Sequence, residues 1–204
     1  VDPLEIPDCD ETSLETERLV VRTARPDEAE ALLDFLRRNE PHLGPWEPAR
    51  PPGFFSVELW RERLAQYRDH WLAGSSYRFH LFEKTAPARV VGSIGLSNVV
   101  RGVFQNAQMG FGLDAGCVGR GLMLEAVNAT LDFAFGPLDL HRVEANHQPQ
   151  NLRSAALLRR AGFEVQGYAR DYLFLDGAWR DHVLTAKRRS DPRAPDPARL
   201  ARSR

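Results

Sequence analysis

The sequence predicts a mixed α/β sheet folded as a single domain. A length of 204 residues suits one domain with a sizeable core. Strand-like and helix-like segments alternate through most of the chain. Near the end, Asp176-Gly177 joins two β-rich runs, a strong hairpin signal.

Thr16–Arg22 alternates as a first strand. Pro26-Asp27 then precedes EAEALLDFLRR, where Asp27 is placed to cap a helix with Glu30 three residues on. PHLGPWEPARPPG, residues 41–53, reads as a proline-rich loop. A second helix starts near Ser56, with Val57, Trp60, Leu64, Tyr67 and Trp71 along one face. Strands follow at Tyr77–Glu83 and Val90–Val99, joined by a turn around Thr85-Ala86-Pro87, and another runs over Ala107–Leu113. From Leu122 a helix presents Leu124, Val127, Leu131 and Phe135 at three- or four-residue steps until Gly136-Pro137 stops it. Leu140–Asn146 reads as a strand. Asn151 caps a helix through Arg160, with Gly162 as its left-handed exit. Phe163–Leu175 and Trp179–Ala186 form the closing hairpin.

Charge and composition exclude several functions. The chain has 27 basic and 28 acidic side chains, so no global field draws it to DNA or to an anionic membrane. Cys9 and Cys117 lie far apart, outside any CxxC pair, and the histidines lack metal-ligand spacing, so no metal is expected. The opening VDPLEIPDCDE is acidic and proline-broken, unlike a signal peptide, and no apolar run reaches membrane-spanning length. The expectation is a cytoplasmic protein. The ends differ: residues 1–17 carry seven carboxylates, whereas KRRSDPRAPDPARLARSR carries seven basic residues against Asp191 and Asp196. Residues 1–13 are expected as a flexible acidic segment, 14–187 as the domain, and 188–204 as a flexible basic tail, either solvated or touching RNA.

The stretch AGCVGRGL, residues 115–122, leads straight into the helix MLEAVNATLDFAF. Helix starts offer unpaired N–H groups and partial positive charge, and glycine lets a phosphate approach that backbone closely. A purely structural tight turn is the competing reading. A P-loop is excluded, because Gly-Lys-Ser/Thr is absent. Gly110-x-Gly112-x-x-Ala115 mimics a dinucleotide fingerprint, but its glycines fall inside a strand with no acidic ribose partner at the required distance.

VGRGLMLEAVNATLDFAF, VEANHQPQN and NLRSAALLRRAGF together resemble the GNAT superfamily of acetyl-CoA-dependent N-acetyltransferases, over about Thr16 to Lys187. Within it, SNVVRG (97–102), GLMLEA (121–126) and GYARDYLFLDGAWRDHVLTA (167–186) are similar to the ribosomal-protein-alanine N-acetyltransferases of the Rim type, RimJ-like branch. The resemblance implies the GNAT acyl-CoA N-acyltransferase fold and acetyl-CoA as cosubstrate. Val118, Gly119, Arg120, Gly121 and Leu122 would cradle its pyrophosphate. Met109, Gly110 and Phe111 would meet pantetheine and the acetyl group, joined by Asn151 and Ser154. The implied acceptor is the N-terminus of a ribosomal protein, with the enzyme a monomer or homodimer. Asn98, Tyr172, Trp179 and His182 would contact that acceptor.

Two positions depart from the family pattern. Gly116 stands where Gln or Arg often opens the loop. Leu158 stands where many members carry a tyrosine that protonates the departing thiolate. Ser154 is the nearest replacement for that proton donor, against the reading that it only satisfies a helix carbonyl. Asn146 matches the branch and is assigned to catalysis, holding pantetheine or a water. No base stands out: Glu144 reads more readily as an outward strand residue, and His182 as a packed core histidine. A peptide α-amine, with a pKa near ~8 against ~10.4 for lysine, is neutralised at roughly 3 kcal/mol less cost. Acetylation of a small amine and acyl-CoA binding without turnover are the competing functions.

Overall fold

The computed structural model describes residues 7–191. An eight-stranded sheet runs in the order β1-β2-β3-β4-β5-β6-β8-β7. Its strands are β1 (Ser13–Glu15), β2 (Leu19–Arg22), β3 (Tyr77–Glu83), β4 (Ala86–Val100), β5 (Asn106–Leu113), β6 (Arg142–Glu144), β7 (Glu164–Leu175) and β8 (Ala178–Arg188). The helices are α1 (Ala29–Arg38), α2 (Glu40–Leu43), α3 (Val57–Leu72), α4 (Leu122–Phe135) and α5 (Leu152–Arg160). All neighbouring strands are antiparallel except β5 and β6, which run parallel.

Alternation along the strands sends side chains to two cores. Leu19, Val21, Tyr77, Phe79, Ile94 and Leu96 face α4 and α5. Phe82 and Val90 face α1 and α3, where Leu32, Leu33, Phe35 and Leu64 are buried. Each such large apolar side chain contributes about 1.5–3 kcal/mol on burial.

Several boundaries differ from the sequence reading. The strand expected at Thr16–Arg22 forms only over Leu19–Arg22, with a further strand at Ser13–Glu15 before it, because Thr16 turns the chain: its hydroxyl accepts the Leu19 N–H at 2.9 Å, and Glu125 takes the Thr16 O–H at 2.8 Å. Asp27 is not a cap. Glu28 receives the Arg25 N–H at 2.8 Å and the Arg22 guanidinium at 2.6 Å, and a 3-10 turn at Pro26–Glu28 precedes α1. The proline-rich stretch contains α2 and a 3-10 turn at Gly44–Trp46. In α4 the buried stripe centres on Met123, Ala126, Val127, Thr130 and Leu131, leaving Leu124 and Phe135 partly exposed. The strand expected at Leu140–Asn146 pairs only over Arg142–Glu144. Within the segment expected to be flexible, residues 7–13 pack: Cys9 is buried, and the Trp71 indole donates to the Pro7 carbonyl at 2.6 Å. The tail from 192 lies outside the described residues, as do residues 1–6.

Other local signals were read correctly. Ser56 caps α3 by accepting the Leu59 N–H at 3.2 Å. Gly162, at φ +83, ends α5, with the Phe163 N–H reaching back to Leu158 O at 2.9 Å. Asp176 and Gly177 have φ of +47 and +71, the backbone a tight two-residue hairpin requires.

Candidate active site

The parallel junction is the site's origin. β5 meets β6 only through Asn106–Arg142, Ala107–Val143 and Gln108–Glu144. Beyond Gln108 the two strands part. On β5 the Asp114 N–H donates to Val91 O at 2.8 Å, toward β4. Backbone alternation therefore turns the N–H and C=O of Met109 and Phe111 toward the gap. A cleft of about 740 Å³ opens there, lined by Met109, Gly110, Phe111, Asn146, Asn151 and Ser154, and also by Gln148, Tyr172 and His182.

At the mouth of α4, Gly119 and Gly121 take left-handed φ of +82 and +80. That backbone suits glycine, and Gly121 serves as the N-cap. The N–H groups of Gly119, Arg120, Gly121, Leu122 and Met123 have no acceptor among the described residues. Together with the helix dipole they form an anion-ready cradle. The Arg120 side chain points elsewhere, pairing with Glu83 at 2.6 Å, so only its main chain belongs to the loop. Val118 is extended, with its side chain partly exposed.

Two residues the sequence reading missed hold this loop. Asp114 receives the Gly116 N–H at 2.9 Å, Arg38 at 2.6 Å and Arg89 at 3.2 Å. Burial alone would raise its carboxyl, but Arg38, the Gly116 N–H and Asn39 outweigh it and hold the group below its ordinary range. Asn39 accepts the Ala115 N–H at 2.9 Å. An Asp two residues before a glycine is a recognisable turn signal, whereas Asn39, distant in sequence, gave none.

Asn151 caps α5 by accepting the Ser154 N–H at 3.1 Å. Its Nδ2 has no partner among the described residues, nor does the Ser154 hydroxyl, so Ser154 does not satisfy a helix carbonyl. Leu158 is buried in the core. Gln148 is buried and lines the same cleft, and its Nε2 has no partner among the described residues. Such an orphaned donor, beside the open Met109–Phe111 backbone, fits the amide-rich arm of coenzyme A.

The remaining candidates separate. Asn146 has both ends of its amide committed: Oδ1 accepts the Thr185 N–H at 3.0 Å and Nδ2 donates to the Tyr172 oxygen at 3.3 Å. These two bonds tie β8 and Tyr172 of β7 to the end of β6, and Asn146 keeps a second amide N–H and a second lone pair at the cleft wall. Tyr172 lies against His182, with ring centroids 5.3 Å apart. His182 is buried, its Nδ1 meets Arg180 O at 3.0 Å, and burial lowers its pKa. Glu144 lines the cleft but pairs with Arg142 at 3.0 Å. Trp179 does not line the cleft; it is 60% exposed and packs edge-on against Phe174. Asn98 does not line the cleft; it is exposed and donates to Oε1 of Gln108, which does, at 2.7 Å.

This geometry can be set beside known proteins. A family model for the acetyltransferase (GNAT) domain matches residues 18–164. The chain belongs to the GNAT acetyltransferase family. Enzymes of this GNAT family use acetyl-CoA. The chain is 41% identical over 173 residues to the [ribosomal protein uS5]-alanine N-acetyltransferase of Escherichia coli (strain K12), covering 85% of this chain and 89% of that protein. Among solved GNAT structures, the ribosomal-protein-S5-alanine acetyltransferase from Vibrio fischeri superposes with a TM-score of 0.85 at 35% identity, covering 90% of this chain and 100% of that one. Mycobacterium smegmatis RimJ in complex with CoA-disulfide gives 0.78 at 30% identity, covering 83% of this chain and 81% of that one. Among the described residues, no helix is long and apolar enough to cross a membrane.

Proposed function

We propose that the chain transfers the acetyl group of acetyl-CoA to the α-amine of an N-terminal alanine, and that its acceptor is ribosomal protein uS5. The observation that carries this reading is the 41% identity to the E. coli uS5-alanine enzyme across 85% of the chain. The geometry supports the chemistry.

In this reading the amides of Gly119 to Met123 hold the pyrophosphate, with the Val118, Arg120 and Leu122 main chain shaping the cradle. The freed backbone at Met109–Phe111 binds pantetheine, and one of its N–H groups polarises the thioester carbonyl. Asn151 Nδ2 and Gln148 Nε2 are further donors to that arm. The neutral amine attacks the carbonyl carbon, the C–S bond breaks, and the thiolate takes its proton from Ser154, which water reprotonates. The amine's own proton leaves through water, which an α-amine with a pKa near ~8 tolerates better than a lysine. Tyr172 and His182 wall the acceptor side. The site of action would be cytoplasmic, where ribosomal proteins are made.

The test is a competition between an Ala-starting uS5 peptide with its lysines methylated and a lysine peptide with a blocked N-terminus, read by mass. Preferential modification of the first is expected. Equal or better modification of the second would overturn the N-terminal reading.

A further inference from the structure

The cleft extends past the acetyl position to a basic end. Its wall includes Arg50, Arg63 and Arg78. Arg50 is neutralised by Glu47 at 3.2 Å and Glu40 at 3.5 Å. The other acid on the wall, Glu144, is taken by Arg142. Arg63 and Arg78 have no carboxylate partner among the described residues. Both are only partly exposed and rest on rings: Arg63 lies 5.0 Å from the Trp60 centroid, and Arg78 lies 5.7 Å from that of Tyr67. Trp60, Arg63 and Tyr67 share one face of α3, spaced three and four residues apart.

The sheet fixes where Arg78 goes. On β3 it stands opposite Gly95 of β4, which stands opposite Gly110 of β5. These register partners share one face of the sheet, so Arg78 starts about two strand spacings, roughly 10 Å, from Gly110. A Cβ on Gly95 would stand 3.2 Å from Arg78 Nε. The arginine therefore lies across bare backbone, leaning over β4 toward β5. Beyond it, Gly110 is open, with nothing within 4 Å of where its Cβ would be. The guanidinium is thus led toward the Met109–Phe111 edge, where the acceptor's first residues must lie if the acetyl group sits there.

A half-buried guanidinium has lost part of its hydration and gains most from a planar anion that can accept its forked N–H groups. We propose that Arg78, with Arg63 beyond it, forms an anion-recognising subsite that selects acceptor peptides carrying Asp or Glu within a few residues of the acetylated N-terminus. This rests on the N-terminal acetyltransferase reading above. It adds a sequence requirement on the acceptor beyond the alanine itself.

The experiment measures kcat/KM for Ala-starting peptides that differ only in having Glu, Gln or Arg at the second, third or fourth position. The full chain is used with acetyl-CoA, and the acetylated N-terminus is counted by mass. Glu at the best position should exceed Gln by about tenfold or more, as a charge-assisted pair would give, with Arg below Gln. The Glu preference should shrink as salt rises, because the site is partly open. Arg78→Gln should bring the Glu/Gln ratio to within about twofold while turnover of the Gln peptide persists, and Arg63→Gln should lower the ratio by a smaller factor. If Arg78→Gln does not fold, the peptide series on the unaltered protein and on Arg63→Gln decides. Robust acetylation with equal Glu and Gln rates would overturn the subsite and leave the N-terminal reading standing, as would an unchanged ratio in folded Arg78→Gln. No turnover of any Ala-starting peptide would remove both.

Discussion

Asn146 holds Tyr172 in place: its Nδ2 donates to the phenol oxygen at 3.3 Å while its Oδ1 accepts the Thr185 N–H at 3.0 Å. The second bond fixes which way the amide faces, so the first cannot flip. Asn146→Ala leaves the buried Thr185 N–H without a partner, a loss of about 1–3 kcal/mol. Urea unfolding should show that loss, and acetyl-CoA affinity should stay within a few-fold. A catalytic defect at unchanged stability would contradict the clamp.

Val118 offers a cleaner probe of the glycine loop than the glycines themselves. Gly119 and Gly121 have positive φ, so any replacement adds backbone strain to whatever it does to a ligand. Val118 is extended, at φ −65 and ψ 145, and partly exposed. Val118→Glu places a negative charge beside the cradle without that strain. Calorimetry should show acetyl-CoA affinity weakened by tenfold or more, on the order of 1.4 kcal/mol, with little change in melting temperature.

Ser154→Ala tests the proton donor. The hydroxyl has no bond to lose within the described protein, so stability should change by less than about 0.5 kcal/mol. If it protonates the thiolate, kcat should fall by about 10²-fold while the affinity for acetyl-CoA is kept. Full turnover in stopped-flow thiol release would assign the proton to another group.

His80 makes the fold sensitive to mild acid. It is buried beneath the acceptor end, and its Nδ1 accepts the Ala24 N–H at 3.1 Å, which a protonated Nδ1 cannot do. Burial, with the Arg78 charge adding, pushes its pKa down to about 3. Unfolded, it titrates near 6.5, so below that pH the unfolded chain binds the proton that the folded one refuses. Stability from this group is full above about 6.5 and falls by roughly 1.4 kcal/mol per pH unit below it. Urea titrations between pH 7.5 and 5 should show this slope, and His80→Gln should flatten it.

Legibility in the sequence followed the range of each interaction. The caps at Ser56 and Asn151, the turn at Asp176-Gly177 and the loop at Gly119–Gly121 are set by residues adjacent in the chain, and all were readable. Leu140–Asn146 read too long as a strand because its apolar content reflects burial, whereas its pairing depends on where β5 turns away. The clamping contacts of Asn146 were not legible, because its partners, Tyr172 and Thr185, lie 26 and 39 residues away. Asn39 was invisible for the same reason, 76 residues from the N–H it holds. Asp27 lost the capping role to Glu28 because Arg22, on the neighbouring strand, draws Glu28 inward.

The brief parallel contact between β5 and β6 also has a mechanical consequence. Within the sheet, the arm made of β1 to β5 and the arm made of β6 to β8 share a strand register of three residue pairs, extended by the His141 and Arg142 N–H bonds to Gln105 O. Ala107 and Val143, both fully buried in the middle of that contact, therefore act as the fulcrum of a notch. A rigid rod laid between the arms works as a spacer that sets their angle, and the Tyr172 wall and the Arg78 floor sit on opposite arms. If, as proposed above, the acyl-CoA arm fills the notch, the gauge of the acceptor groove is set by the donor.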